Sequence, residues 1–282
     1  LVSGTSLLKN SHWRDRNAVR QNSKGDGKLI TNKETSTSID EVAAGIYRIS
    51  TPLDVIPGGF TFNSFLIADD EPLLFHTGFR KLFPATLEAV GKVVPADKLR
   101  WVGGSHFESD EFGAMNDILN AAPGSTPFGS EVGVLTSISD FAVRSPRALK
   151  DNEEFSIGSR KMKWIYTPHV PHGWDCGILF DQSSGTLFCG DLFTQAGANM
   201  PPVTESEILT ASEGMRGMMD YYAHATNTAV ILERLASLNP SLLACQHGSS
   251  YRGDGASLLR ELGKVIETGS AKHSAPSSAA SA

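Results

Sequence analysis

The sequence predicts an α/β fold in which two mixed β-sheets stack face to face and helices cover both outer surfaces, a layering of αββα. Two observations carry this. Strand-like segments followed by helical ones run through the chain twice, and two such series call for two sheets. Four times, a side chain able to ligate a metal stands just past the end of a strand-like run, at His106, His172, Asp191 and His247. That is where open α/β architectures present their chemistry. A chain of 282 residues with 40% hydrophobic side chains has the apolar material for such a core.

Residues 1–38 are polar and basic, carrying Lys9, Arg14, Arg16, Arg20, Lys24, Lys28 and Lys33 against Asp15, Asp26 and Glu34. They read as a flexible leader, with a basic docking arm as the sharper alternative. Residues 39–268 form the folded domain, and the Ser/Ala-rich 269–282 read as a disordered tail. Within the domain, Val42 to Ser50, Phe62 to Ala68 and Leu73 to Phe75 read as strands, with a turn at Pro57-Gly58-Gly59. Leu82 to Val94 has helical spacing and Leu99 to Val102 is a buried strand. Phe112 to Ala121 and Glu131 to Ile138 read as short helices joined by the Pro/Gly-rich Pro123 to Gly129.

A second series follows, with strands at Glu154 to Ile157, Lys161 to Tyr166, Cys176 to Phe180 and Thr186 to Cys189. Helices near Ser206 to Ala223 and Thr228 to Leu238, a strand at Leu242 to Cys245 and a helix at Ala256 to Thr268 complete it. A net charge of −6 argues against general nucleic-acid binding, and no apolar run is long enough for a membrane span. The start shows no export signal. Three widely spaced cysteines, Cys176, Cys189 and Cys245, make no disulfide framework, so a reducing cytoplasmic setting fits.

The densest chemistry is Ser105 to Gly113, which places His106, Glu108, Asp110 and Glu111 within six positions after a strand and the pair Gly103-Gly104. An imidazole and three carboxylates this close repel strongly unless a cation neutralises them. His172, Asp191 and His247, each just past a later strand, are the donors expected to converge on the same place.

This pattern resembles the metallo-β-lactamase superfamily, whose fold is the αββα sandwich and whose signature is H-x-H-x-D-H followed by a His, a bridging Asp and a last His. Glu108 stands where the second His is usual, and H-x-E-x-D marks the oxygen-binding di-iron domain of flavodiiron proteins within that superfamily. The resemblance covers residues 42 to 266. It implies one metal on His106, Glu108 and His172, another on Asp110 and His247, and Asp191 bridging both. Glu111 occupies the sixth signature position, usually His, and either ligates through oxygen or turns away. His76, in Phe75-His76-Thr77-Gly78, stands where the superfamily usually has the Asp of a D-T-G turn, and a His there can support a ligand by hydrogen bonding.

Carboxylate-rich ligation favours two iron ions, with two zinc ions, manganese or mixed metals as alternatives. His169 reads as a residue behind the ligands or lining the pocket. Tyr221, Tyr222 and His224 end a Met-rich helix, and Tyr222 and His224 are taken with Asp110 as the catalytic candidates, the first two as proton donors. Cys189 and Cys245 read as small core residues. Pro57-Gly58-Gly59-Phe60 is either a mobile hairpin over the site or a plain turn.

Two functions follow. The resemblance implies a non-haem di-iron protein that binds or reduces O2 or NO, with a small-molecule ligand. The flavodiiron proteins' flavodoxin domain finds no counterpart after His247, so either a separate electron-donor protein feeds the site or the domain binds and senses oxygen rather than turning it over. The alternative is a dinuclear hydrolase of esters, lactones, lactams or phosphodiesters, with Asp110 orienting a metal-bound water. A metal-stabilised scaffold without turnover is a third and weaker reading. A homo-oligomer is compatible with either function.

Overall fold

The computed structural model describes residues 28–273, without the side chains of 269–273. One sheet has eight strands in the order β1 to β8. They are β1 (Leu29–Asn32), β2 (Thr37–Ala43), β3 (Ile46–Leu53), β4 (Phe60–Ile67), β5 (Leu73–Phe75), β6 (Trp101–Gly103), β7 (Thr126–Ser130) and β8 (Arg147–Leu149). The other has seven, in the order β13-β15-β14-β12-β11-β10-β9. These are β9 (Glu154–Ser156), β10 (Lys161–Tyr166), β11 (Gly177–Asp181), β12 (Thr186–Gly190), β13 (Val203–Thr204), β14 (Leu242–Cys245) and β15 (Ser250–Arg252).

The sheets face each other across a dry aromatic layer that includes Phe65, Phe75, Phe128, Trp164 and Phe188. Helices α1 (Phe83–Gly91), α2 (Ser109–Phe112) and α3 (Met115–Ala121) follow β5 and β6 in the chain. Ala89, Val90, Met115, Ile118 and Leu119 bury an apolar face against the first sheet. Helices α4 (Glu131–Gly133) and α5 (Ser139–Phe141) are joined by a π-helical turn, Val134–Ile138. On the second sheet, α6 (Leu209–Met219), α7 (Thr228–Ala236) and α8 (Gly255–His273) are the covering helices, with Leu232, Leu235, Leu259 and Leu262 facing inward. The expected αββα layering is the observed one.

Several expectations are corrected. The segment read as one strand from Val42 to Ser50 is two, β2 and β3, turning at Gly45, whose φ is +71°. Residues 29–38, assigned to the leader, form β1 and the start of β2, and β2 pairs with β3 through Ser38↔Ser50. The leader's residues 1–27 lie outside the described residues. The connector Pro123 to Gly129 contains β7, a parallel strand between β6 and β8. Pro127 argues against a central strand because it lacks an N–H, but burial of Phe128 in the intersheet layer outweighs that lost donor. The helix placed at Ser206 to Ala223 is shorter, because Asp220 adopts φ +46° and ends it. Helix α8 runs on to His273, past the expected start of the tail, and residues 274–282 lie outside the described residues.

Candidate metal centre

His106 follows β6, His172 follows β10, Asp191 follows β12 and His247 follows β14. Parallel pairing of β5 with β6 and of β12 with β14 brings strand ends to one edge of the sandwich, and the loops beyond them meet there. The Nε2 atoms of His106 and His172 are 3.0 Å apart. Glu108 Oε1 lies 3.5 Å from the first and 3.3 Å from the second.

Asp191 lies between two groups of donors. Its Oδ2 is 3.5 Å from His106 Nε2 and 3.2 Å from His172 Nε2, and its Oδ1 is 3.2 Å from His247 Nε2. Asp110 Oδ2 lies 3.4 Å from His247 Nε2 on the far side. One carboxylate thus offers a different oxygen to each of two donor clusters, which is the geometry of a bridge.

His247 and His106 are each aimed by a contact on the other ring nitrogen, whereas His172 Nδ1 is buried without a hydrogen-bond partner. His247 Nδ1–H donates to the backbone carbonyl of Thr61 at 2.9 Å, and its ring stacks on Phe60 with centroids 4.4 Å apart. Phe62 meets it edge-on at 5.2 Å. His106 Nδ1 faces Ser105 Oγ at 3.0 Å. Gln246 Nε2 donates to Asp110 Oδ2 at 3.2 Å.

The electrostatics show what the pocket favours. Burial alone would lower the pKa of His172 and His247, yet carboxylate hydrogen bonds push both up to about 10, from Asp191 and Glu108 on the first and from Asp110 and Asp191 on the second. Hydrogen bonds from His106 and His172 hold Glu108 at about 2. Asp191, against the effect of burial, is held well below the usual carboxylate range by His172 and His247. This is a negative pocket that stabilises cations.

Glu111 tests whether a metal pair fits. It is fully buried, burial pushes its carboxyl well above the ordinary value, and neither oxygen has a hydrogen-bond partner. Its Oε1 lies 3.8 Å from His106 Nε2. Such a group is costly unless something positive meets it. Ligand-type atoms of His106, Glu108 and His172, of His106, Glu111 and Asp191, and of Glu108, Asp110 and Glu111 lie within 4.8 Å of one another in each set. The residues fit a dinuclear centre.

A cavity of about 580 Å³ opens onto the cluster. Val55, Ile56, Phe60, Phe62, Phe79 and Met215 line its apolar side, and Glu108, Asp110, His172, Asp191 and His247 its polar end. Val55 and Ile56 come from the turn before β4, where Gly58 and Gly59 both have positive φ. That turn is tied to the segment after β12 by Gly197 N–H to Gly59 O at 2.9 Å and Ala198 N–H to Gly58 O at 3.0 Å.

The other candidates divide. His76 is buried behind the cluster, with its Nε2 3.1 Å from Ser105 Oγ, and burial holds it at about 3, so it is neutral. His169 is exposed and does not join the donors. Tyr222 packs into the core beneath the second sheet. His224 bonds Asp220 at 2.7 Å and is not among the residues lining the cavity. The cavity tyrosine is instead Tyr221, whose ring lies 6.2 Å from that of His172, centroid to centroid. Burial pushes its hydroxyl up to about 12, so it keeps its proton. Ser105, Gln246 and the Thr61 carbonyl went unread in the sequence. Ser105 and Gln246 each adjoin a predicted ligand, which was the available signal.

Residues 60–248 match the family described as ODP family beta lactamase. Rubredoxin-oxygen oxidoreductase from Megalodesulfovibrio gigas is 25% identical over 206 residues, covering 70% of this chain and 50% of that protein. The chain spans half or less of the length of the first such relatives it matches. Among solved structures, the flavodiiron protein from Giardia intestinalis superposes with a TM-score of 0.70 at 19% identity, over 82% of this chain and 60% of that one. A fragment of putative diflavin flavoprotein A 5 from Nostoc gives 0.73 at 18% identity, over 84% and 98%. At these identities the superpositions establish the shared fold.

Proposed function

The chain belongs to the ODP family of β-lactamase-fold proteins, and from that premise we propose that it is a non-haem di-iron protein that binds and reduces O2 or NO. The observation that carries this is Asp191, which presents one oxygen to His106 and His172 and the other to His247. His106, Glu108 and His172 would hold one iron, and Asp110 and His247 the other, with the buried Glu111 carboxyl within reach of His106 and of Asp110. Four carboxylates in the set favour iron, because hard oxygen donors stabilise the ferric state. When bound, the iron pair supplies the electrons for reduction.

The chain's own residues do the rest. Phe60, Phe62 and Phe79 present an apolar wall that admits a small uncharged ligand and keeps bulk water away. Gln246 orients Asp110 through its 3.2 Å hydrogen bond. Tyr221 lines the cavity and is protonated at neutral pH, and its hydroxyl, buried beside Ser212 and Thr194, would have to turn toward the cavity to pass a proton to the reduced ligand. Electrons would come from a separate small redox protein, of the kind the Megalodesulfovibrio relative is named for. Among the described residues no helix is long and apolar enough to cross a membrane.

Hydrolysis of esters, lactones, lactams or phosphodiesters uses the same fold, but the relatives favour the redox reading. The test is oxygen and NO uptake by protein reconstituted anaerobically with ferrous iron and supplied with a chemical reductant. Uptake that depends on iron supports the reading. Absence of uptake, together with ester or lactone hydrolysis by the zinc-loaded protein, overturns it.

A further inference from the structure

Behind His106, on the side away from the cavity, stands a second buried histidine. His76 directly follows β5 in a left-handed conformation, φ +64°, which residues other than glycine adopt uncommonly. Its Nε2 receives the backbone N–H of Ser105 at 3.3 Å and lies 3.1 Å from Ser105 Oγ. The same hydroxyl oxygen is 3.0 Å from His106 Nδ1. His76, Ser105 and His106 are each at most 2% exposed, so water does not compete for these bonds.

The directions of the three bonds follow from chemistry. A backbone N–H only donates, so His76 Nε2 is an acceptor and its ring proton sits on Nδ1. For His106 to offer the Nε2 lone pair to a metal ion held together with Glu108 and Asp191, its Nδ1 must carry the proton and donate it to Ser105 Oγ. The serine hydroxyl then has one acceptor within reach for its own proton, His76 Nε2. The chain runs one way, from His106 Nδ1–H to Ser105 Oγ–H to His76 Nε2. Room for the hydroxyl depends on Gly190, where an added Cβ would fall 2.9 Å from Ser105 Oγ.

We infer that His76 is a positioning residue, the terminal acceptor of a neutral relay through Ser105 that fixes the tautomer in which His106 presents Nε2 to a metal ion. A carboxylate in this place would accept the same proton but add a further buried negative charge to a cluster whose Asp191 and Asp110 already act on position 76. A neutral acceptor holds His106 without that charge. The inference rests on the metal-site reading, and its test separates the two.

The experiment is long-range 1H–15N NMR on 15N-histidine-labelled protein, with and without zinc as a diamagnetic probe, alongside zinc titrations of His76→Phe and His76→Gln. Phenylalanine keeps a ring but removes the acceptor, whereas glutamine returns an oxygen near the position of Nε2. The relay predicts a proton on Nδ1 of both His76 and His106. It also predicts a loss of about tenfold or more in zinc affinity at one of two sites in the Phe variant, largely recovered in the Gln variant. A proton on His76 Nε2, unchanged affinity in the Phe variant, or equal losses at both sites in both variants would overturn it. A wild-type protein that takes up no metal contradicts the metal-site reading alone, since the ring proton of neutral His76 is still located in the metal-free spectra.

Discussion

The two halves of the donor cluster are held in different ways. The His106, Glu108 and His172 half is built from loops and supported by side chains, with Ser105 and His76 behind one imidazole and Glu108 half exposed to the cavity. In the Asp110 and His247 half, the loop that carries His247 is tied through its own backbone and ring to β3 and β4 of the opposite sheet. Thr61 accepts from His247 Nδ1, its Oγ1 accepts from Gly248 N–H at 2.8 Å, and Asn63 Nδ2 reaches the carbonyls of Cys245 and Gly248. Buried Arg48 adds a bond to Gly248 O at 2.9 Å. One half depends on which side chains stand behind the ligands, and the other on the two sheets staying in register. Asp191 joins them.

The sharpest way to break this comparison is to remove what the halves share. Asp191→Ala is expected to lower affinity at both positions by more than about 100-fold, beyond the effect of losing a residue behind a ligand. Metal analysis of the dialysed protein checks it, and retention of one full equivalent would refute the bridge. His172→Ala and His247→Ala should instead each empty one position and leave the other. If either variant loses both metals, the halves are not separable.

Tyr221→Phe should slow turnover by about 100-fold with metal content unchanged, because it removes a proton donor and no ligand. The Tyr222→Phe variant should leave the rate unaltered. A rate drop for Tyr222 and none for Tyr221 would return the role to the core tyrosine.

The pH dependence of the metal-free protein sharpens the comparison further. His172 and His247 are raised to about 10 from an ordinary value of 6.5. The stability their carboxylate pairs contribute is therefore complete below about pH 6.5 and is lost as pH rises through about 10. Glu108, held at about 2, contributes stability that is present above its ordinary value of 4.5 and lost as pH falls through about 2. Thermal melts across this range should show a decline on both flanks. Metal uptake at neutral pH displaces the protons of His106, His172 and His247, all raised above the ordinary histidine value, and that of the buried Glu111 carboxyl, so proton release should exceed that of two histidines, measured by calorimetry in buffers of different ionisation enthalpy. The smallest expected effect is that of Gln246→Ala, about tenfold in affinity at the Asp110 and His247 position alone.

Much of this was legible in the sequence, for a physical reason. Strand ends converge in an αββα fold, so ligand-type residues just past β6, β10, β12 and β14 announce a common site before any coordinate is known. The sequence showed less where neighbours decide orientation. Tyr221 and Tyr222 are adjacent and identical in chemistry, and beyond the helix end at Asp220 only Tyr221 reaches the cavity lining while Tyr222 is buried in the core. His169 and His172 share one loop, yet His169 is exposed while His172 faces the donors. Strand β7 was hidden by Pro127, and Ser105 gave no sign of linking two buried histidines.

The most direct test of the account is Mössbauer spectroscopy of protein reconstituted anaerobically with 57Fe(II) and then exposed to air. A pair bridged by Asp191 should give about two irons per chain, seen as two inequivalent, antiferromagnetically coupled ferric sites with a diamagnetic ground state. A single uncoupled high-spin ferric ion, or iron that fails to displace tightly held zinc, would contradict it.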